Sequence, residues 1–158
     1  MARPHFLALL AEACGKVGQT EEGLSALTEA LGIVHKNGER EYEAELYRLK
    51  GTLTLQQESQ KAKGKAQKSK VSNPKSQILN PKSQGEVEAC FLKAIDIAQK
   101  QQAKSLELRA TVSLARLWQQ QGKQKEAHQM LSEVYGWFTE GFDTKDLQEA
   151  KALLEALT

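Results

Sequence analysis

The stretch AEACGKVGQTEEGLSALTEA, residues 11–30, decides the fold, and ARLWQQQGKQKEAHQMLSEV, residues 115–134, repeats its plan. In the first, a small residue (Ala11) precedes a break at Gly15 and Gly18, and Gly23, Leu27 and Ala30 follow. In the second, Ala115 comes before Gly122, and Ala127, Leu131 and Val134 come after it. Nineteen residues separate Ala11 from Ala30, and nineteen separate Ala115 from Val134. The apolar residues recur every three or four positions, as on one face of a helix. Two antiparallel helices approach closely only where Gly or Ala meets the partner's bulky side chain, so each stretch reads as a helical hairpin crossing at a small residue. The same hairpin twice in one chain predicts an internal repeat.

A third hairpin lies between them, with Gly51 on its first helix and Val87, Phe91 and Ala94 on its second. Gly51 and Ala94 are 43 residues apart, 24 more than in the outer hairpins. Residues 59–84 account for the excess. They hold seven lysines, no acid and only five apolar residues, and they contain NPKSQ twice, at 73–77 and 80–84. Too little apolar surface is present to offset the entropy of ordering them, which predicts a disordered insert. Ala11 to Gly51 spans 40 residues; Gly51 to Ala115 spans 64, the same 40 once the extra 24 are set aside.

The predicted helices run over about 6–16, 20–37, 39–57, 87–102, 105–122 and 125–138, with Thr20 capping the second. A last helix is capped by Asp143 or Thr144. The fold class is therefore all-α: three hairpins at about 4–38, 39–103 and 104–140 and a capping helix at 143–157, forming one domain over residues 1–158. Gly51 is expected to face Phe91 at the middle crossing. Leu147, Ala150, Leu153, Leu154 and Leu157 would close the open end of the stack.

Composition removes several function classes. The chain has 158 residues and a formal charge of +2, and since the insert supplies seven positive charges the remainder is acidic by five. Cys14 and Cys90 form no CxxC or Cys/His spacing, which argues against a metal knuckle or disulfide framework and for a reducing, cytoplasmic setting. No apolar run approaches about 18 residues, so no membrane span is expected. Arg3 and the run Phe6 to Ala11 imitate a signal peptide, but Glu12 spoils the imitation. His5, His35 and His128 fall on different hairpins or faces without a nucleophile beside them, Cys14 and Cys90 sit at core-facing positions, and no GxxxxGK[ST] loop exists, so neither a catalytic site, a cofactor nor a metal is expected. Trp118, Tyr135, Trp137 and Phe138 read as core and as the junction with the last helix. A second reading is a nucleic-acid-binding accessory protein using the lysine-rich insert; the absence of interleaved aromatics for base stacking counts against it.

The hairpin pattern resembles the tetratricopeptide repeat. The segments RPHFLALLAEA (3–13), ELYRLKG (45–51), SLELRA (105–110) and VYGWFTEGFDT (134–144) resemble the C-terminal repeat region of bacterial signalling proteins. In these a class III adenylate or guanylate cyclase, or another sensory module, precedes a predicted regulatory ATPase and helical repeats similar to those of MalT-like activators. The resemblance implies a non-enzymatic α-solenoid that binds protein segments, with an ATPase or cyclase domain among its partners, because cyclase and ATPase motifs are missing from this chain. It also implies that the first helix of each repeat lines a concave groove. In the shared register the groove residues are His5, Glu12 and Lys16, then Glu45, Arg48 and Thr52, then Arg109, Arg116, Gln119 and Gln120. Planar guanidinium groups bind carboxylates bidentately, so an acidic peptide or a C-terminal carboxylate is the expected guest. The competing expectation is that Arg48 and Arg109 pair with Glu45, Glu107 or neighbouring acids and only solubilise the wall.

Overall fold

A computed structural model describes residues 4–38, 40–68 and 81–158. They form seven helices: α1 (Pro4–Lys16), α2 (Thr20–Asn37), α3 (Glu43–Lys68), α4 (Pro81–Lys100), α5 (Lys104–Gln120), α6 (Gln124–Tyr135) and α7 (Lys145–Leu157). No strand occurs among the described residues, and none of their helices is long and apolar enough to cross a membrane. The protein is all-helical. It divides into two compact units, residues 1–90 and 91–158, with the division falling inside α4.

In the first unit Leu7, Ala11 and Cys14 of α1, Leu27, Ala30 and Val34 of α2, and Leu46, Leu49 and Leu53 of α3 are buried. Their spacing of three and four is the stripe that a helix of 3.6 residues per turn presents to one side. Each fully buried leucine contributes about 1.5–3 kcal/mol over leaving it in water. The helices meet at a notch. A Cβ on Gly23 would stand 2.8 Å from Leu53 Cδ1, 3.2 Å from Cys14 Cβ and 3.3 Å from the Ala11 carbonyl oxygen; one on Gly15 would stand 2.8 Å from Leu53 Cδ2. Leu53 thus seats one methyl against each glycine, and Gly15 serves as a packing site inside α1 rather than as its stop.

The second unit repeats this scheme 104 residues later. Leu108, Val112 and Ala115 of α5, Ala127 and Leu131 of α6, and Ala150, Leu153 and Leu157 of α7 share one apolar cluster. Leu157 takes the place of Leu53, and Ala127 that of Gly23. The turns are alike in detail. Between α1 and α2 the Gln19 amide donates to the Cys14 carbonyl at 2.8 Å and the Gly18 amide to Gly15 at 3.2 Å; between α5 and α6, Lys123 donates to Trp118 at 2.8 Å and Gly122 to Gln119 at 3.2 Å. Gly18 and Gly122 both have φ +82°. This is the C-terminal motif in which a left-handed residue lets two amides satisfy the helix's last carbonyls. The α4–α5 turn uses it as well: Ala103 donates to Ala98 at 2.9 Å, Gln102 donates to Gln99 at 3.1 Å, and Gln102 holds the left-handed position at φ 56°. Gly38 ends α2 at φ 72°, its amide on the Val34 carbonyl at 2.9 Å.

Three expectations are corrected. The insert was expected to be disordered over 59–84, but α3 continues to Lys68 and α4 begins at Pro81; only 69–80 lie outside the described residues. Helix α3 continues because its polar face docks on the α1–α2 turn. Gln56 Nε2 donates to the Gly15 carbonyl at 2.8 Å, Gln60 Nε2 to the Gly18 carbonyl at 3.4 Å, and the Thr20 hydroxyl meets Gln60 Oε1 at 3.4 Å. Gln, Lys and Ala also favour helix, and Pro81 sits in a first turn that tolerates it. Second, Thr20 is the first residue of α2 rather than its cap; Gln19 holds the N-cap position, with no side-chain hydrogen bond. Third, Trp137 is 58% exposed. The chain leaves α6 after Tyr135, so Trp137 turns off the apolar face while Trp118, Tyr135 and Phe138 pack against the cluster. Gly51 and Phe91 are both buried, in different units.

Candidate functional site

The first unit presents the α1 and α3 residues of the expected groove. His5 lies against Tyr42, ring centroids 4.8 Å apart. About two turns further along, exposed Glu12 pairs with Lys16 at 3.7 Å. On α3, Arg48 grips Glu45 with two nitrogens, Nε to Oε2 at 2.9 Å and Nη2 to Oε1 at 2.5 Å. Both side chains are largely covered, 18% and 11% exposed. A forked contact in such surroundings is stronger and more directional than an open surface pair. Thr52 donates its hydroxyl back to the Arg48 carbonyl at 3.0 Å, so its proton serves its own helix rather than a guest.

The second unit presents the equivalent face on α5 and α7. Arg109 Nε donates to Asp146 at 2.8 Å, and Arg116 Nη2 stands 3.6 Å from Glu149, which Lys145 also approaches at 3.8 Å. Gln119 is half-buried and Gln120 exposed. The 104-residue offset carries over to these contacts: it maps His5 onto Arg109, Tyr42 onto Asp146, Glu12 onto Arg116 and Glu45 onto Glu149. A lateral contact between successive first helices therefore recurs with different chemistry, two rings in one unit and an ion pair in the other.

All three arginines meet carboxylates of the chain itself. Arg48 is committed to Glu45, as the solubilising alternative expected. Arg109 and Arg116 face α7 acids, partners that the sequence reading did not pair with them. These contacts differ in firmness. The Arg116 pair is long and its members are 53% and 39% exposed, in the range where an ion pair contributes about 0–1 kcal/mol. The face is thus mixed in charge.

The remaining polar features serve structure. Glu107, buried on α5, accepts from Gln99 Nε2 at 3.1 Å and lies 3.1 Å from Lys104 Nζ, tying the two sides of the α4–α5 turn. Lys104 in turn sits 5.4 Å from the centre of the Trp137 ring. Cys14 is buried and Cys90 partly so; His35 is exposed and His128 half-buried. Among the described residues no three His, Cys, Asp or Glu side chains converge as a metal site would require.

The sequence reading missed Tyr42, Asp146 and Glu149, which complete the lateral contacts. It also missed that α1 is apolar on two sides. Leu7, Ala8, Ala11 and Cys14 face inward, while Phe6, Leu9, Leu10 and Val17 are exposed. The signal was available, since those four residues fall off the inward stripe on a helical wheel. Comparison with protein-family models, with curated proteins and with solved structures finds no match to this chain.

Proposed function

We propose that this chain is a non-catalytic helical-repeat scaffold, a short tetratricopeptide-like solenoid whose first-helix faces bind a segment of another protein. Its place in a larger assembly is the regulatory region beside an ATPase or cyclase domain of a bacterial signalling protein, working in the cytoplasm. The observation that carries the reading is the 104-residue recurrence of three features together: the left-handed turn at Gly18 and Gly122, the small-residue crossing at Gly23 and Ala127, and the lateral contact at His5–Tyr42 and Arg109–Asp146. A repeat that stacks hairpins sets its first helices side by side, and an extended chain can lie across them. The half-exposed Arg116 and Arg109 supply forks for carboxylates, and Asp146 and Glu149 supply acceptors for a guest's cations. The link to a cyclase or ATPase neighbour rests on the resemblance of residues 134–144 and the shorter segments before them.

Panning a displayed random-peptide library on the immobilised chain tests this. Selected peptides should bind with micromolar Kd by calorimetry, should weaken by about tenfold or more in an Arg109→Glu/Arg116→Glu variant, and should be indifferent to Lys36→Glu on α2. A library that yields no binder above background, or binders insensitive to the α5 substitutions, would remove the groove from the account.

A further inference from the structure

Helix α3 does not stop where its apolar stripe stops. Leu53 is the last buried residue of α3 among the described ones, yet the helix runs on to Lys68. This extension carries lysines at 61, 63, 65 and 68; its one acid, Glu58, precedes them all, and the next acid in the chain is Glu86. A disordered tract would leave such charges scattered. A helix fixes their phase: positions 61, 65 and 68 follow one another at i, i+4 and i+7 and share one flank, whereas 63 falls on the opposite side. The docking of Gln56 and Gln60 on the Gly15 and Gly18 carbonyls sets the rotation of that flank. Lys61 is exposed, and its contact with Glu58 at 3.4 Å is a surface ion pair, weak in water.

We infer that the flank of Lys61, Lys65 and Lys68 binds double-stranded nucleic acid through its phosphates, without reading bases. The composition of the ridge separates this partner from others that positive charge attracts. A protein interface is centred on buried apolar and aromatic side chains and is poor in lysine, but residues 59–68 offer no apolar side chain beyond Ala62 and Ala66. A helix lying in a membrane surface needs an apolar face as well. Single strands bind where aromatic side chains let their bases stack, and the chain has no Phe, Tyr or Trp between Tyr47 and Phe91. A duplex makes neither demand, because its bases are stacked inside and its surface offers about one phosphate charge per 1.7 Å of axis.

Dimensions and charge agree with this partner. The three lysines span about 10 Å at about 1.5 Å per residue, a length over which a duplex carries roughly six phosphate charges. With the seven lysines of residues 59–84 set aside the chain is acidic by five, so the field draws a polyanion to this stretch and repels it elsewhere. The inference stands apart from the groove, whose α3 residues end at Thr52.

Fluorescence anisotropy of a labelled duplex of about 25 base pairs, titrated with the full chain from about 20 to about 150 mM KCl, tests this. Wild type should bind with a Kd of about 1–100 μM that rises about a thousandfold per decade of salt. Lys61→Gln/Lys65→Gln/Lys68→Gln should weaken binding about tenfold or more at low salt and flatten the logarithmic slope by about 2–3, with an unchanged helical circular dichroism spectrum. Lys70→Gln/Lys75→Gln/Lys82→Gln removes the same charge from outside α3 and should flatten it by less than about 1. A single strand of equal length, and phosphatidylserine-containing vesicles, should bind at least about fivefold more weakly than the duplex. No duplex binding up to about 500 μM, equal losses in the two triple variants, or equal affinity for single strands or vesicles would each overturn the proposal. Should the α3 variant lose helix content, the salt slope of wild type, the second triple variant and the competing ligands decide the matter without it.

Discussion

Replacing Gly23 by alanine puts a methyl group where Leu53 Cδ1 stands 2.8 Å away, with Cys14 Cβ at 3.2 Å and the Ala11 carbonyl at 3.3 Å. Leu53 cannot withdraw, because it is buried and its other methyl is seated against Gly15. Overpacking of this kind costs about 1–3 kcal/mol, while the better helix propensity of alanine returns about 1 kcal/mol. The net loss should be about 0–2 kcal/mol. Leu53→Ala by itself empties the notch and should cost about 2–5 kcal/mol. In that background Gly23→Ala no longer meets the leucine, while Cys14 Cβ at 3.2 Å and the Ala11 carbonyl at 3.3 Å still crowd it, so crowding and helix propensity should about cancel. The two substitutions should thus couple by about 1 kcal/mol, above the roughly 0.3–0.5 kcal/mol scatter of independent sites. Urea unfolding followed by circular dichroism at 222 nm measures the cycle. Tryptophan fluorescence is the control, since Trp118 and Trp137 both lie in the second unit. A coupling below about 0.5 kcal/mol would refute the shared notch.

At the left-handed turn positions, Gly122→Ala meets no atom within 4 Å yet must adopt φ +82°, so it should lose about 1 kcal/mol from backbone strain alone, read as a shift in urea midpoint. Gln102 occupies the same position at φ 56°, and Gln102→Gly should therefore stabilise by about 0.5–1 kcal/mol; destabilisation would contradict the likeness of the turns. Gln56→Ala, which removes the bond to the Gly15 carbonyl, should cost about 1 kcal/mol and speed amide exchange over residues 57–63. Asp146→Ala should cost at most about 1 kcal/mol, and less at high salt, because the Arg109 pair is partly solvated.

The helical periodicity and its breaks were legible from the sequence because they are local. Gly18, Gly38 and Gly122 mark left-handed turns that side-chain-bearing residues avoid, and each was assigned as a break. Gln102 was not, since glutamine carries no such mark; the hydrogen bonds from Ala103 to Ala98 and from Gln99 to Glu107 close the α4–α5 turn around it. The insert shows the opposite error. Lysine content and low hydropathy argued against order, yet residues 59–68 extend α3 because Gln56 and Gln60 reach the Gly15 and Gly18 carbonyls at the end of α1. Polar anchoring between segments 40 residues apart leaves no trace in a composition count.

The candidate site divides in the same way. Register placed His5, Glu12, Lys16, Arg109 and Arg116 on corresponding faces, because an offset of 104 residues preserves helical phase. Which acid each arginine meets was beyond it, since Asp146 and Glu149 approach only once α7 has packed against α5. The sequence by itself determined that the chain is helical, where most of the described helices break, and the small residues Ala11, Gly23, Ala115 and Ala127 at the two outer crossings, all set by interactions within a few turns. Only the tertiary structure decided that Leu53 fills the Gly15–Gly23 notch, that the arginines are held by carboxylates of the chain, and that one apolar flank of α1 faces water. These depend on which surfaces meet across long sequence separations, and burial is a property of the assembled neighbours rather than of the residue.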